Sequence, residues 1–296
     1  MYDIIIIGAG PAGMTAAIYA ARANKKVLVL EALSYGGEIL NTLKIENYPV
    51  EENISGFDFA TKLYNQIIKL GVEVKLEKVI SINESKEVKT NESVYTSKSI
   101  IIATGLNNRK LNLVLEEELT GKGISYCATC DGAFFKGKDV AVVGGGNTAL
   151  EDALYLSDIC NKVYLIHRRN EFRADPITID KVLNKNNIKV MYDTIITKIN
   201  GNNYLEGIEV NNNEIIAING LFIAIGKIPN LNYLNNIIET NEDGYIKSNE
   251  LCHTNIEGIF VAGDIREKTL RQLVTATSDG AIAATEAIKY INNKSS

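Results

Sequence analysis

The chain has 296 residues, of which 46% are hydrophobic and 23% are charged, a composition that allows two globular domains. Its formal net charge is −5 and it has no run of Lys and Arg, so we do not expect nucleic acid as a partner. No apolar stretch approaches the roughly 18 residues of a membrane span, and the chain does not open with a leader sequence, which predicts a cytoplasmic protein without membrane contact.

The first predicted unit is a strand, a glycine-rich turn and a helix. Residues 3–7 form an apolar strand, and residues 8–13 read G-A-G-P-A-G. A helix is predicted over residues 14–23 and a second strand over residues 27–30. In G-x-G-x-x-G turns the first glycine makes the tight turn, the second admits a pyrophosphate, and the third packs the helix on the strand. The pyrophosphate then lies at the helix N-terminus, where free N–H groups favour an anion.

Glu31 follows the second strand and indicates which nucleotide this turn binds. It lies 31 − 8 = 23 residues after the first glycine. A carboxylate there accepts hydrogen bonds from a ribose hydroxyl and repels a 2′-phosphate, so the site is predicted to hold the adenosine of FAD or NAD. Further strands are predicted over residues 72–76, 87–94 and 100–103.

Two cysteines separated by two residues come next, in Cys127-Ala128-Thr129-Cys130-Asp131. A zinc site would need two further ligands, and the other Cys and His residues form no second pair with metal-ligand spacing, so no metal is expected. Two buried structural thiols are another interpretation. A redox role is favoured because C-x-x-C lets a dithiol and a disulfide interconvert. Asp131 could then donate or accept a proton, unless it is an ordinary surface carboxylate.

A second unit repeats the first one. Residues 139–143 form an apolar strand and residues 144–149 read G-G-G-N-T-A, which begins 144 − 8 = 136 residues after the first turn. A helix over residues 150–159 and a strand over residues 163–166 complete it. One glycine-rich turn can be merely structural, but two βαβ units with matching turns favour two bound dinucleotides.

The residues after this second strand differ from Glu31. His167, Arg168 and Arg169 stand at the equivalent place, since 167 − 144 = 23, and Arg173 follows one helical turn later. Guanidinium groups bind phosphate oxygens through paired hydrogen bonds. The pattern predicts a socket for the 2′-phosphate of NADPH, the alternative being a solvated basic face. Later strands are predicted over residues 190–192, 208–210 and 221–225.

Ten stretches spread along the chain resemble the low-molecular-weight bacterial thioredoxin reductases. They include S-Y-C-A-T-C-D-G-A-F-F at 125–135, G-G-G-N-T-A at 144–149, H-R-R-N-E-F-R at 167–173 and F-V-A-G-D at 260–264. The resemblance implies an α/β fold with two Rossmann-like dinucleotide-binding domains, the NADPH domain being inserted into the FAD domain. The expected FAD-binding domain comprises residues 1–114 and 243–296, and the expected NADPH-binding domain with the dithiol comprises residues 115–242.

The resemblance also implies an activity. The protein would be a thioredoxin-disulfide reductase that passes electrons from NADPH through FAD and the dithiol to oxidised thioredoxin, and it would form a homodimer. Cys130 would be the sulfur that faces the flavin, Cys127 the interchange thiol that attacks thioredoxin, and Asp131 the acid–base group. The inserted domain would rotate between two poses during turnover.

The same resemblance assigns cofactor-binding residues. Those of the FAD domain are Gly8, Gly10, Ala12, Gly13, Glu31, Gly37, Glu38, Asn47, Gly105, Gly263, Asp264, Arg271 and Gln272. Those of the NADPH domain are Gly145, Asn147, Thr148, His167, Arg168, Arg169, Arg173 and Gly226. Asp264 would reach the ribityl chain, and the helix after Gln272 would point its N-terminus at the flavin ring. Glu38 stands where the family usually has Gln, which places an extra charge or proton near the flavin.

Other functions on the same core are alternatives. Some relatives take electrons from ferredoxin and have lost both NADPH motifs, which are intact here. Others serve a different disulfide partner and carry an additional thioredoxin-like region. A redox sensor without enzymatic activity would need a signalling module, and no stretch is left to form one. A ferredoxin–NADP reductase on this fold would lack the dithiol.

Overall fold

The computed structural model describes residues 1–42, 44–51, 53–211 and 213–294. The chain divides into two compact units, of which the first comprises Met1–Asn107 and Pro229–Ser296 and the second is the continuous segment Asn108–Ile228. The chain passes from the first unit to the second after Asn107 and returns to the first after Ile228. These two points lie seven and fourteen residues before the expected domain boundaries after residues 114 and 242 (114 − 107 and 242 − 228).

Each unit begins with alternating strands and helices, as in an α/β fold, and continues with consecutive strands. The strands are β1 (Tyr2–Ile7), β2 (Val27–Glu31), β3 (Glu73–Leu76), β4 (Val79–Ile82), β5 (Glu87–Thr90), β6 (Val94–Ile102), β7 (Asn107–Asn108), β8 (Ile124–Ser125), β9 (Asp139–Gly144), β10 (Lys162–Ile166), β11 (Ile188–Met191), β12 (Ile196–Gly201), β13 (Leu205–Val210), β14 (Glu214–Ala217), β15 (Gly220–Ala224), β16 (Lys227–Ile228) and β17 (Ile259–Val261). The helices are α1 (Pro11–Arg22), α2 (Gly56–Lys69), α3 (Ala128–Asp131), α4 (Asn147–Ser157), α5 (Pro176–Leu183) and α6 (Leu273–Lys294).

The sheet of the first unit has the order β3-β2-β1-β6-β5-β4, and β17 also pairs with β6. The pairs among β3, β2, β1, β6 and β17 are parallel, whereas β4, β5 and the start of β6 form an antiparallel meander. The chain runs outward from β1 to β2 and β3 and later returns to β6 on the other side of β1. A crevice for a nucleotide therefore opens at the carboxyl ends of β1 and β6.

Strand β1 is buried on both faces, which explains its continuous apolar sequence. Ile4 and Ile6 pack in one hydrophobic cluster with alanines of α1 and α6, while Ile5 and Ile7 pack in a second cluster on the opposite face. The first three of these isoleucines are fully buried. The small side chains of α1 and α6 let both helices lie close to the sheet.

The second unit contains a parallel sheet of order β11-β10-β9-β15-β8 and an antiparallel sheet of order β12-β13-β14. Its chain also runs outward, from β9 to β10 and β11, and returns to β15 on the other side of β9. The same crevice is thus built a second time, and the α/β class with two Rossmann-like units predicted from the sequence is confirmed.

One predicted strand is wrong. Residues 87–94 form two strands, since β5 ends at Thr90 and β6 begins at Val94. The hydroxyl oxygen of Thr90 accepts hydrogen bonds from the backbone N–H groups of Glu92 and Ser93, which closes a tight turn between the strands. No helix within the described residues is long and apolar enough to span a membrane.

Candidate functional site

The turn between β1 and α1 is shaped by backbone contacts that leave no room for side chains. A Cβ atom on Gly8 would lie 2.4 Å from the carbonyl oxygen of Ala103, and one on Gly13 would lie 1.9 Å from that of Gly8. Gly8 also has φ +107°, which favours glycine. A Cβ on Gly10 would instead meet open space, with its nearest neighbour, the carbonyl oxygen of Gly36, 4.0 Å away. Gly10 thus borders a space that a ligand can enter.

The start of α1 suits an anion. Its N-cap Gly10 provides no side-chain hydrogen bond, and its first turn contains no acidic residue. The carboxylate of Glu31 accepts hydrogen bonds from the backbone N–H groups of Ala9 at 2.8 Å and Leu33 at 3.0 Å. These bonds fix the carboxylate beside the glycine turn, and its remaining lone pairs can accept from a ribose hydroxyl. These residues fit the adenosine diphosphate half of FAD.

A loop after β17 lies against the same turn. Gly263 has φ +81°, and a Cβ atom on it would lie 2.9 Å from the Cβ of Ala12. The Nε of Arg271 donates to the carbonyl oxygen of Asp264 at 3.2 Å, and the guanidinium carbon lies 3.9 Å from the centre of the Tyr245 ring. The sequence places Asp264 directly after Gly263, so the loop holds it close to the start of α1.

A buried ionic cluster, which the sequence did not reveal, fixes that loop. Asp279 in α6 is 6% exposed and accepts a hydrogen bond from the backbone N–H of Gly263 at 3.1 Å. It also accepts from Arg266 at 2.8 Å and from Lys268 at 2.7 Å. Loss of one member of a buried ion pair leaves the others without compensation, so this cluster constrains the loop that carries Asp264.

Two more of the residues expected to bind FAD line a cavity of about 360 Å³ in the first unit. Asn47 and Gln272 both line it, and the Asn47 side-chain amide donates to the Gln272 carbonyl oxygen at 3.0 Å. Helix α6 begins at Leu273, directly after Gln272. Both side chains are therefore beside a space that can accept part of a ligand.

The remaining expected residues of this unit lie in exposed or half-buried turns. Gly37 and Glu38 are exposed at the start of a short 3-10 helix, Gly37–Asn41. A Cβ atom on Gly37 would lie 3.4 Å from the Cα of Gly10, so this helix borders the first glycine turn. Gly105, with φ +63°, follows β6.

The turn between β9 and α4 repeats the geometry of the first turn. A Cβ atom on Gly144 would lie 2.3 Å from a carbonyl oxygen at the end of β15. One on Gly145 would lie 2.1 Å from the His167 ring, whereas one on Gly146 would have its nearest neighbour 3.8 Å away. Gly145 is thus buried against His167, and Gly146 is the residue that borders open space. Gly146 was missing from the expected set, although its equivalence to Gly10 (146 − 136 = 10) was a signal for it.

Two arginines of the expected socket are exposed. Arg168 and Arg173 are exposed and Arg169 is half-buried, and no ion pair to a described residue engages any of the three guanidinium groups. The backbone N–H of Arg173 donates to the carbonyl oxygen of Gly145 at 2.7 Å. This bond brings the arginine segment back to the glycine turn, so the charges lie close to the start of α4.

His167 differs from the arginines that follow it. It is 8% exposed, and its Nε2 lies 2.9 Å from the carbonyl oxygen of Glu171. Its ring centre lies 5.4 Å from that of Phe172. These contacts make His167 part of the packing beneath the turn, and its role as a cofactor ligand stays a prediction.

Asn147 connects the starts of two helices. Its carbonyl oxygen accepts from the backbone N–H of Asp175 at 2.7 Å, and its amide nitrogen donates to the Asp175 carboxylate at 3.0 Å. Thr148 is exposed in the first turn of α4. Gly226, with φ +96°, is exposed after β15.

The two cysteines of the C-x-x-C segment are joined by a disulfide bond. Cys127 precedes the single-turn helix α3, and Cys130 lies within it. The backbone N–H of Cys130 lies 3.2 Å from the sulfur of Cys127, and the Thr129 hydroxyl lies 3.4 Å from the same sulfur. Cys130 is exposed, whereas Cys127 is half-buried.

Asp131 is held by a residue that the sequence did not single out. The hydroxyl of Ser125, at the end of β8, donates to its carboxylate at 2.6 Å. The backbone N–H of Cys127 donates to the same hydroxyl oxygen at 3.0 Å. One buried side chain thus connects the candidate acid–base group to the first cysteine.

The two phenylalanines after the dithiol point in different directions. Phe134 is 74% exposed, whereas Phe135 packs edge-on against Phe222 in the core with ring centres 5.4 Å apart. Phe134, four residues after Cys130 in the sequence, thus provides exposed apolar area for contact with a partner.

One acidic residue of α4 has an unusual pKa. Burial raises the pKa of Asp152 to about 7, with a further rise from Glu151 and an opposing effect of Lys227. This carboxyl is therefore only partly ionised at neutral pH.

The other two cysteines form no disulfide bond. Cys160 and Cys252 are free thiols and both are buried. Burial raises the pKa of Cys160 to about 11 and that of Cys252 to about 12, which makes them poor nucleophiles. Within the described residues, no group of three His, Cys, Asp or Glu side chains is arranged to hold a metal ion.

Comparison with known proteins shows the family of the chain. Residues 2–280 match the model of the pyridine nucleotide-disulphide oxidoreductase family. A thioredoxin reductase from Bacillus subtilis is 42% identical over 300 residues, which cover 98% of this chain and 95% of that protein.

Solved structures give the same result. The thioredoxin reductase of Lactococcus lactis superposes with a TM-score of 0.87 and 39% identity, covering 99% of this chain and 100% of that one. A ferredoxin-flavin thioredoxin reductase from Clostridium acetobutylicum has a TM-score of 0.57 and 32% identity, covering 99% and 98%. The chain therefore belongs to the pyridine nucleotide-disulphide oxidoreductase family and, within it, to the thioredoxin reductases.

The two kinds of glycine in the first turn predict different defects. Gly13→Ala places a Cβ against the backbone, so we expect a destabilised first unit and a melting temperature lowered by several degrees. Gly10→Ala meets open space, so we expect an unchanged melting temperature without flavin, together with flavin affinity reduced about tenfold or more. Thermal melts and flavin titration of the flavin-free protein measure both effects. Equal flavin affinity of Gly10→Ala and the unchanged protein would contradict the assignment.

Proposed function

We propose that this protein is an NADPH-dependent, FAD-containing thioredoxin-disulfide reductase. The observation that carries the proposal is the presence, in one chain, of two nucleotide-binding turns and a Cys127–Cys130 disulfide next to Asp131. Neither turn alone distinguishes a dehydrogenase from a flavoprotein. A redox disulfide in the unit that carries the second turn is what a disulfide reductase requires.

The first unit is proposed to hold FAD. Its glycine turn and the start of α1 would bind the pyrophosphate, and Glu31 would bind the adenosine ribose. Asp264, Asn47 and Gln272 would contact the remainder of the cofactor. FAD, when bound, accepts a hydride and passes two electrons to a disulfide.

The second unit is proposed to bind NADPH. Gly146 and the start of α4 would bind its pyrophosphate, and Arg168, Arg169 and Arg173 would bind the 2′-phosphate. The exposure of two of these guanidinium groups and the lack of ion pairs within the described chain support this assignment. These arginines also argue against ferredoxin as the electron source.

The dithiol is proposed to reduce a protein disulfide, and the names of the relatives indicate thioredoxin. Attack on a protein disulfide needs an accessible sulfur. The family resemblance gives this step to Cys127, with Cys130 facing the flavin. The exposed Phe134 would contact the partner. Asp131 would supply and take up the proton as thiols form and are consumed. We further propose that the protein acts in the cytoplasm as a homodimer.

An anaerobic titration tests the electron path. We expect two equivalents of NADPH per protomer, one to reduce the Cys127–Cys130 disulfide and one to reduce the flavin, to bleach the flavin absorbance of the purified protein, and oxidised thioredoxin to restore it. Bleaching without recovery would support electron transfer from NADPH to the flavin and would exclude thioredoxin as the disulfide substrate. No bleaching by NADPH, but bleaching by reduced ferredoxin, would replace the nicotinamide by ferredoxin as the electron source.

Two arginine substitutions test the nucleotide preference. Arg168→Ala and Arg169→Ala each remove a charged hydrogen-bond donor to the 2′-phosphate, so we expect KM for NADPH to rise about tenfold or more. KM for NADH should change less than about threefold, because NADH lacks that phosphate. Arg22→Ala, an exposed arginine in α1 of the first unit, is the control. Equal losses for NADPH and NADH would contradict the socket.

Serine substitutions decide which sulfur attacks the protein substrate. We expect Cys130→Ser, which retains Cys127, to form a stable mixed disulfide with a thioredoxin that lacks its second active-site cysteine. Non-reducing electrophoresis and mass spectrometry detect the adduct. Cys160→Ser is the control, because that thiol is buried. An adduct formed by Cys127→Ser alone would assign the attack to Cys130.

A further inference from the structure

The Ser125 hydroxyl has three hydrogen-bond partners around the dithiol. It lies 2.6 Å from the Oδ2 of Asp131 and 3.2 Å from the carbonyl oxygen of Cys127, and it accepts from the Cys127 N–H at 3.0 Å. Ser125 is 5% exposed, so water does not readily replace these bonds. Ser125 is the last residue of β8, and the pairing of β8 with β15 holds it in the parallel sheet.

A hydroxyl has one hydrogen and two lone pairs, which limits how these contacts are made. One lone pair accepts from the Cys127 N–H. When Asp131 is ionised, the hydroxyl hydrogen donates to its carboxylate. When Asp131 is protonated, its own O–H can donate to the second lone pair, and the hydroxyl hydrogen can turn to the Cys127 carbonyl. Each form of Asp131 is then hydrogen-bonded at the same position.

We propose that Ser125 is a positioning residue whose hydroxyl reverses its hydrogen bond as Asp131 gains and loses a proton. The inference deepens the proposed function, since it rests on Asp131 as the acid–base group. It adds a residue whose hydroxyl group rotates and so keeps the Asp131 carboxyl group in place both when it is protonated and when it is ionised.

The proton has a defined path when a thiolate reagent opens the disulfide. The reagent forms a bond to one sulfur, the Cys127–Cys130 bond breaks, and its electron pair stays on the other sulfur. That sulfur takes the proton of Asp131, which becomes a carboxylate and accepts the Ser125 hydrogen. The second thiolate of the same reagent molecule then attacks the reagent sulfur of this mixed disulfide and releases the protein sulfur as a thiolate. The reagent leaves as a cyclic disulfide, and protons from water return to the released thiolate and to Asp131.

Two other hydroxyl groups near the dithiol contact different atoms. The Tyr126 hydroxyl points to a different carboxylate, donating to Glu116 at 2.7 Å. Glu116 is 1% exposed and also accepts from the backbone N–H groups of Leu111 and Leu113. The Thr129 hydroxyl lies beside the Cys127 sulfur. Ser125 is the side chain placed between Asp131 and the Cys127 backbone.

The test measures how fast dithiothreitol opens the disulfide, by alkylation and mass spectrometry of the full FAD-containing protein at pH 7. We expect Ser125→Ala to slow this step about tenfold or more, because a charged hydrogen bond is lost. Ser125→Thr, which keeps the hydroxyl on a strand residue, should recover most of the rate. Ser157→Ala is the matched control, since that 7% exposed hydroxyl donates only to the Leu154 carbonyl at 2.7 Å.

A double substitution separates positioning from general destabilisation. If Ser125 acts through Asp131, Ser125→Ala should have almost no effect in the Asp131→Asn background. Equal slowing in both backgrounds would overturn the proposal, and so would an unchanged rate in Ser125→Ala alone. The comparison holds even if the threonine variant folds poorly.

The assay needs neither NADPH nor thioredoxin, so it is independent of the proposed electron path. Flavin bleaching by NADPH should be unchanged in Ser125→Ala if only the dithiol step is affected. Failure of the unchanged protein to reduce thioredoxin would overturn the proposed function and leave the Ser125 result standing.

Discussion

Close contact between backbone atoms at two strand-to-helix turns is the constraint on which both units depend. At Gly8, Gly13 and Gly144 a single added carbon would overlap a carbonyl oxygen of the chain. These contacts let α1 and α4 start directly above the ends of β1 and β9, with their free N–H groups at the crevice. The neighbouring Gly10 and Gly146 border open space. The same turn therefore explains both why the helices pack and where an anion can bind.

Hydrogen bonds around each turn position the charged side chains of the site. In the first unit, Glu31 is fixed by backbone N–H groups, and Asp279 with its two cations holds the loop after β17. In the second unit, the backbone N–H of Arg173 donates to a carbonyl oxygen of the glycine turn, and the residue is exposed to solvent. The charges that face a nucleotide are therefore positioned by main-chain hydrogen bonds. A carboxylate in one unit and cations in the other give the two similar folds different preferences.

The dithiol segment combines reactivity with a fixed position. Strand β8 and helix α3 bracket Cys127, and Ser125 satisfies both its backbone N–H and the Asp131 carboxylate. Phe135 anchors the next turn in the core, while Phe134 stays exposed. A disulfide that must open and close needs such support, because the sulfur atoms change partners while the surrounding chain should not.

The amino-acid sequence was enough to predict the α/β class, both glycine turns, the dithiol and the arginine segment, because each depends on local spacing that a strand or turn imposes within a few residues. It failed at residues 87–94, where a turn made by Thr90 separates two strands. The packing of distant elements was needed to show that His167 covers Gly145, and that Asp279 and Ser125 support the sites. These contacts join residues on different elements or depend on which side chains burial turns inward, and sequence spacing does not specify either.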